Sequence, residues 1–300
     1  MNQIRPTMGY KLSIIIFLSA IPLAIATPYQ PHYGLQKDLA PIPIAPRQEH
    51  STVAISRSTI AILRGIVPEA SSSIFPTTTL GRNYAPGGLT PDPESAWRSV
   101  PDSWVYDPES DVWESIEPMP AGEERGSAAV GVDDHTIWLA GGLKILVPRE
   151  GGEQTSVNLV SAYNTLSGTW LSLPTTVQNM PGRRDPLQDT VIVLDLSALD
   201  GWTIAEGRMP TARGGIATAA VGSQIYTFGR EGNPAPGSAG VFNETEVYNT
   251  ATGKWRKLGP MKLPRHGTYA VAVDSTTVHI PGGGMSIGAG PVATFDLFYP

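Results

Sequence analysis

Glu124-Arg125-Gly126-Ser127-Ala128-Ala129-Val130-Gly131-Val132 runs into Thr136-Ile137-Trp138-Leu139-Ala140-Gly141-Gly142, and the same grammar returns late in the chain. There it reads Arg265-His266-Gly267-Thr268-Tyr269-Ala270-Val271-Ala272-Val273, then Thr277-Val278-His279-Ile280-Pro281-Gly282-Gly283. Both are arginine, apolar strand, turn, second strand and a glycine pair. Self-similarity at a period of 20 to 50 residues decides an architecture before any local reading does. Two looser copies follow the pattern. Arg47 leads through Val53-Ala54-Ile55 and Ile60-Ala61-Ile62-Leu63 to Arg64-Gly65, and Arg213 leads through Ala219-Ala220-Val221 and Ile225-Tyr226-Thr227-Phe228 to Gly229-Arg230. In each of these an arginine replaces one glycine of the pair.

A second module follows the glycines and a variable loop. It is Val105-Tyr106-Asp107-Pro108 with Trp113, Ala162-Tyr163-Asn164-Thr165 with Trp170, and Val247-Tyr248-Asn249-Thr250 with Trp255, with seven residues from Tyr to Trp each time. Val193-Leu194-Asp195-Leu196 with Trp202 is a stretched fourth copy. Thirty-two glycines, 28 prolines and only 16% charged residues suit many short strands joined by tight turns. All-β is therefore the expected class.

Strand, Gly-Gly, loop, then Tyr and Trp at this spacing resembles the kelch motif, and the resemblance covers nearly the whole chain after residue 26. Stretches such as Glu123-Glu124-Arg125-Gly126 and Leu263-Pro264-Arg265-His266-Gly267 resemble secreted fungal kelch proteins with a propeller of the galactose oxidase central domain type. The resemblance implies a β-propeller, each unit one four-stranded blade with its first strand nearest the central channel. Tyr and Trp would then be structural, filling the wedge between blades.

A complete unit occupies about fifty residues, as from Arg213 to Arg265. Arg47 to Arg125 is too long for one unit and too short for two, and Arg184 to Arg213 is too short for one. Before Gly87-Gly88 no pair of apolar strands is visible, and Arg183-Arg184-Asp185 runs almost directly into Asp189-Thr190-Val191-Ile192-Val193. The expectation is six blades represented, two of them incomplete, through a decayed gene or a transcript that lost pieces near residues 81 to 86 and 185 to 189. Unpaired edges are a liability in such a sheet. Val292-Ala293-Thr294-Phe295-Asp296-Leu297-Phe298 matches a third strand with no fourth after it. Gln36-Lys37-Asp38-Leu39-Ala40-Pro41-Ile42 aligns with Trp255-Arg256-Lys257-Leu258-Gly259-Pro260-Met261, so the N- and C-terminal strands are expected to close one blade.

Arg5 and Lys11 precede an apolar run from Leu12 to Ile25 and then Ala24-Ile25-Ala26. This is the pattern of a secretory signal peptide cleaved after Ala26, and the run is shorter than a membrane span needs. Residues 1–26 are thus expected to leave and 27–300 to form the propeller, secreted and extracellular, a monomer with no membrane attachment after cleavage. The net charge of −6, more acidic once the leader is gone, argues against a nucleic-acid partner. With no cysteine, packing and strand pairing alone must hold the fold. Asn243-Glu244-Thr245 is a glycosylation sequon in a stretch that reads as a surface loop.

The galactose oxidase resemblance would imply a radical copper site with a tyrosine cross-linked to cysteine, and no cysteine exists to form it. His32, His50, His135, His266 and His279 show no metal-ligand spacing, so no metal and no cofactor are expected. Asp133-Asp134 and Glu123-Glu124 read as solvated turn residues. No phosphate loop, dinucleotide fingerprint or nucleophile elbow occurs. Two functions remain. One is a binding module for a glycan, cell-wall component or protein. The other is an enzyme acting on a small molecule at the channel mouth, as in natural-product biosynthesis.

Alternating strand direction puts the loops after each second strand on the same side as the arginines that open each first strand. Arg47, Arg125, Arg184, Arg213 and Arg265 should ring the channel mouth, with His266 and Trp97 beside them. Guanidinium forks there suit carboxylates or sugar hydroxyls. The alternative is that each arginine ties its blade together through Glu123, Glu124, Asp185 or backbone carbonyls.

Overall fold

A computed structural model describes residues 15–18, 34, 36–41, 51–56, 59–63, 77–79, 81–93, 96–147, 152–180, 189–213, 216–273, 275–287 and 289–300. Among them every regular element is a strand. The units repeat one four-stranded antiparallel plan. The second unit is Thr77–Thr79, Arg82–Ala85, Ser103–Asp107 and Val112–Ile116, and the third is Ala129–Asp133, Thr136–Ala140, Val160–Asn164 and Thr169–Trp170. The fifth is Ala217–Val221, Gln224–Glu231, Val241–Asn249 and Lys254–Lys257.

In the sixth, Val271–Ala272, Val278–Pro281 and Phe295–Phe298 are joined by Gln36–Asp38, in the register Gln36↔Phe298 and Asp38↔Asp296. The Gln36 side chain accepts the Lys262 N–H at 2.7 Å, and Lys262 Nζ pairs with Asp38 at 3.2 Å. Gln36 therefore lies on the outer strand, as its alignment with Trp255 requires.

Among the described residues the first unit shows Ser51–Ser56 paired with Thr59–Leu63, and the latter also pairs with Ile15–Leu18, Ile15 opposite Ile62 and Leu18 opposite Thr59. Among the described residues the fourth unit shows the pair Ile192–Leu194 and Trp202–Ile204. One expectation is corrected. Two strands do lead into Gly87-Gly88, because Thr77–Thr79 pairs with Arg82–Ala85 (Thr77↔Tyr84, Thr79↔Arg82). They are short and threonine-rich, so β-branched residues make the pairing without an apolar alternation to announce it.

The Tyr-to-Trp spacing is a hairpin. Asn164 Oδ1 accepts the N–H groups of Leu166 (2.9 Å) and Ser167 (3.0 Å), Asn249 those of Ala251 and Thr252 (both 2.9 Å), and Asp107 that of Glu109 (2.9 Å). These side-chain turns reverse the chain so that Tyr106 faces Trp113, Tyr163 faces Trp170 and Tyr248 faces Trp255, with ring centroids 5.1, 5.2 and 5.1 Å apart. Between units the faces pack directly: Tyr84, Val105 and Met119 of the second against Ala128, Ile137, Leu139 and Tyr163 of the third. Ala219, Tyr226 and Phe228 of the fifth meet Val278, Ile280 and Phe298 of the sixth in the same way. The aromatics are structural wedges.

Burial and the hydrogen bond to Asp111 (2.7 Å) push the Tyr106 phenol up to about 12 from 10.0. The folded state holds this proton longer than the unfolded one, so its contribution is full below pH 10 and is lost as pH rises toward 12. An ultraviolet tyrosinate titration of the folded protein should show a late-ionising phenol that Tyr106→Phe removes. An unchanged titration in that variant would overturn the assignment.

The loops after the second strands are not free. Leu89–Pro91, Trp97–Ser99, Leu143–Leu146 and Gln154–Ser156 form a sheet of their own, in which the two loops meet at Trp97↔Leu146 and Arg98↔Ile145. Leu89, Trp97 and Leu143 bury one another there.

Candidate functional site

Arginine clips come first. Arg125 is 1% exposed; its Nε donates to Gly141 O (2.7 Å), Nη1 to Glu123 O (2.6 Å) and Ser161 Oγ (3.1 Å), and Nη2 to Leu139 O (3.1 Å). Ser161 Oγ in turn donates to the Glu123 carboxylate. Arg213 Nη1 meets Glu246 Oε2 at 2.7 Å and Nη2 donates to Thr227 Oγ1 at 3.0 Å, with both charged side chains fully buried. Thr211 Oγ1 donates to the other Glu246 oxygen at 2.8 Å. Arg265 Nη2 donates to Ile280 O (2.9 Å) and pairs with Asp296 Oδ2 at 2.7 Å, again fully buried.

One guanidinium thus crosses the inner strands of each of these units and ends on the third strand. Its partner occupies the position two residues before the Tyr or Phe of that strand: Ser161, Glu246 or Asp296. In the third unit the acid has moved to Glu123 and Ser161 relays the contact. Burial draws the Arg125 pKa down to about 10, with Glu123 opposing, so the group stays cationic at neutral pH. Arg213 and Arg265 are drawn down by burial in the same sense, opposed by Glu246 and Asp296.

The structure therefore gives Arg125, Arg213 and Arg265 to the blades as ties, and no guanidinium rim is presented by them. Arg47, Arg184 and Asp185 lie outside the described residues. Trp97 sits 5% exposed inside the loop sheet. Asn243 stands in the strand Val241–Asn249, half-buried, because Val241 and Phe242 continue the pairing where the sequence reads as loop; its carbonyl accepts the Met261 N–H at 2.7 Å. Among the expected site residues that are described, His266 meets an ionisable side chain, Glu231, near the loop face.

Its setting is best read against the equivalent junction elsewhere. Between the second and third units, Gly126 rests on Gly88 and Leu89, a contact with room for no side chain. The same three positions between the fifth and sixth units are His266, Arg230 and Glu231. The backbone bond is retained: Gly88 N–H donates to Arg125 O at 3.1 Å and Arg230 N–H to Arg265 O at 3.0 Å. Arg230 accordingly adopts φ 128°, in company with Gly88 (146°), Gly142 (115°) and Gly283 (106°). For a residue with a Cβ this is strained backbone, of the kind that gathers at functional sites.

The Arg230 side chain is half-buried, with Nη1 fully buried and without a hydrogen-bond partner. Burial lowers its pKa; Glu231 opposes and nearby Arg213 reinforces the shift. His266, 4% exposed, has Nδ1 3.6 Å from Glu231 Oε2 and Nε2 2.9 Å from Ser286 O. Across the β-bulge between Phe228 and Arg230 lies Glu244, half-buried, whose Oε2 is also buried and without a hydrogen-bond partner. Two loops frame this group. Ile287 N–H donates to Ala239 O at 3.2 Å and its side chain lies against Gly240, while Met285 and Ile287 are exposed apolar residues. No three His, Asp or Glu side chains converge as a metal-binding group among the described residues.

Arg230 was visible in the sequence as a departure from the glycine pair, and Glu244 was visible only as part of the sequon. Their junction needed the structure.

Similarity to known proteins agrees with this architecture. A family profile described as Kelch motif matches residues 212–262, the fifth unit. The chain is 36% identical over 244 residues to the Kelch-like protein terF of Aspergillus terreus (strain NIH 2624 / FGSC A1156). That match takes in 73% of this chain and 51% of the relative, so the chain spans about half the length of the curated relative it matches. The solved structure of YjhT superposes with a TM-score of 0.63 at 13% identity, covering 85% of this chain and 95% of that one, which bears on the fold alone. From its repeats, their strand order and these similarities, the chain is a kelch-repeat protein of β-propeller type.

Proposed function

We propose that this chain is a secreted six-unit propeller, closed through the Gln36–Asp38 strand, that acts as a binding module. Its recognition site is the loop face between the fifth and sixth units. The observation that carries this reading is Arg230, a charged residue held at φ 128° where the other units place glycine. Strain of roughly 1–3 kcal/mol is kept there although glycine would make the same backbone bond to Arg265 O, and the side-chain Nη1 finds no hydrogen-bond partner. Leader removal after Ala26 and work as an extracellular monomer complete the proposal.

Arg230→Gly separates binding from folding. It should raise stability by roughly 1–3 kcal/mol, because glycine adopts this backbone without strain. It should also abolish capture of the partner in a pull-down from cell-wall and culture fractions. A variant that is more stable and still captures the partner would remove this face as the recognition site. The contact of His266 with Glu231 also favours a second reading, an enzyme acting on a small molecule at the same place. An untargeted metabolite comparison of a deletion strain with its parent distinguishes the two: an accumulating precursor marks an enzyme, an unchanged profile a binder.

A further inference from the structure

The fourth unit has chain for only half a blade. The opening arginine and the start of the third strand are Arg125 and Val160 in the third unit, Arg213 and Val241 in the fifth, and Arg265 and Phe295 in the sixth. In the fourth they are Arg184 and Ile192, which leaves no length for two strands and their turn. The outer pair is nevertheless seated. Leu194 and Trp202 pack on Val160, Ala162, Leu173 and Val177, and Trp202 Nε1 donates to Val177 O at 3.0 Å.

The register fixes what the inner edge of this pair offers. Ile192 lies opposite Ile204 and Leu194 opposite Trp202, and Ala205 N–H donates to Val191 O at 2.9 Å. Val191 and Val193 therefore turn their backbone groups toward Trp202–Ile204, and Ile192 and Leu194 turn theirs the other way. On that side the third strands of the third, fifth and sixth units meet a second strand, and among the described residues none pairs with Ile192–Leu194. Such an edge is a template for another strand.

The side chains define the strand that fits. Ile192 stands two residues before Leu194, the place that Ser161, Glu246 and Asp296 hold in the arginine clips, so the inner layer here is apolar instead of charged. The flanking inner strands turn small exposed residues toward the fourth unit, Ala129 and Gly131 from the third, Thr218 and Ala220 from the fifth. Their other faces, with Ala128, Ala217 and Ala219, are buried against the second and sixth units. Each inner hairpin among the described residues is already engaged in its own unit, so a second copy of this chain has no strand to lend without opening a blade.

We propose that the inner edge of Ile192–Leu194 is a second docking surface, which takes an extended strand of a different protein in antiparallel backbone pairing. That strand carries apolar side chains at alternate positions, one of them against Ile192. Main-chain bonds supply the affinity and the apolar positions the selectivity. The surface stands apart from the loop face and does not depend on it.

The probe is a labelled synthetic hairpin of residues 129–140, titrated against the whole protein by fluorescence anisotropy. Within its own unit Ile137 lies opposite Tyr163 and Leu139 opposite Ser161, so on the fourth unit they would lie opposite Leu194 and Ile192. N-methylation at Ile137 and Leu139 removes the two N–H groups aimed at the edge and should weaken binding by at least about tenfold. A Leu139→Arg hairpin should lose about as much and regain it on the Ile192→Glu protein, with thermal melts showing that this variant is folded. Absence of hairpin binding, equal binding of the N-methylated form, or indifference to Leu139→Arg would overturn the proposal. Self-association of the protein that the hairpin competes away, read by sedimentation, would also overturn it by making a second copy the occupant. Arg230→Gly should leave hairpin binding unchanged, and its loss in that variant would mean that the two surfaces are one.

Discussion

Replacing Glu246 by alanine is expected to destabilise the protein by about 3–5 kcal/mol, because it leaves the Arg213 guanidinium buried without its counter-ion. Neither side chain has any exposure, so water cannot enter to compensate. Thr211 would lose its carboxylate acceptor as well, whereas Thr227 keeps the Glu246 backbone carbonyl. At this chain size the melting temperature should fall on the order of 10 °C. The companion change Arg213→Met with Glu246→Leu removes both charges together and should recover most of the loss, since a buried pair is worth little over a packed apolar replacement. Ser161→Ala is the mild case, about 1 kcal/mol, as Arg125 keeps three backbone carbonyls. Denaturant titrations of the four proteins decide the matter. A Glu246→Ala midpoint equal to wild type would mean that the clip is not an ion pair in solution.

Gly229→Ala is the second large effect. The residue has φ 56°, and a Cβ built on it would overlap the Arg265 carbonyl oxygen and come within 3.1 Å of Met261 Sδ. The carbonyl belongs to backbone that receives the Arg230 N–H, so it cannot move aside cheaply. Left-handed backbone and overpacking together should cost roughly 2–4 kcal/mol. Gly222 supplies the control: it has the same φ, 56°, and open space around a Cβ, so Gly222→Ala should cost only about 1 kcal/mol. Equal losses at the two positions, measured by thermal melts, would show that close approach contributes nothing.

The reason for glycine at the first place of each pair was only half legible in the sequence. Positive φ could be inferred from the turn. The approaching sulfur could not, although its signature recurs: Met119, Met180 and Met261 each precede an arginine by a few residues. Met119 Sδ would lie 2.5 Å from a Cβ on Gly87, and Met180 Cε 2.9 Å from one on Gly141. Strand pattern and aromatic spacing follow from local chemistry that sequence carries well, and the joining of the Gln36 strand to the Phe298 strand follows from the alignment of one repeat with another. The third-strand partner of each clip does not, because Ser161, Glu246 and Asp296 differ in type at one shared position. Nor does the loop sheet, since Trp97↔Leu146 joins segments of different units and neither hairpin announces its neighbour. At the candidate site, His266 was named from its place beside Arg265. Arg230 and Glu244 gained meaning only when the strand register placed them at one bulge.

The contact of methionine and arginine with the preceding glycine has a direction. In each case the socket, the end of a second strand, is made first, and the plug follows on the link that runs from the fourth strand of that unit to the arginine opening the next: Gly87 before Met119 and Arg125, Gly229 before Met261 and Arg265. A chain emerging from the ribosome therefore completes each receiver before its insert exists, and every new unit docks on a finished template. Growth from the N-terminal side is then favoured by geometry as well as by the order of synthesis. A circular permutant that began inside the fifth unit, between Gly229 and Met261, would invert that order at one junction, and its refolding rate would report how much the protein relies on being made from one end.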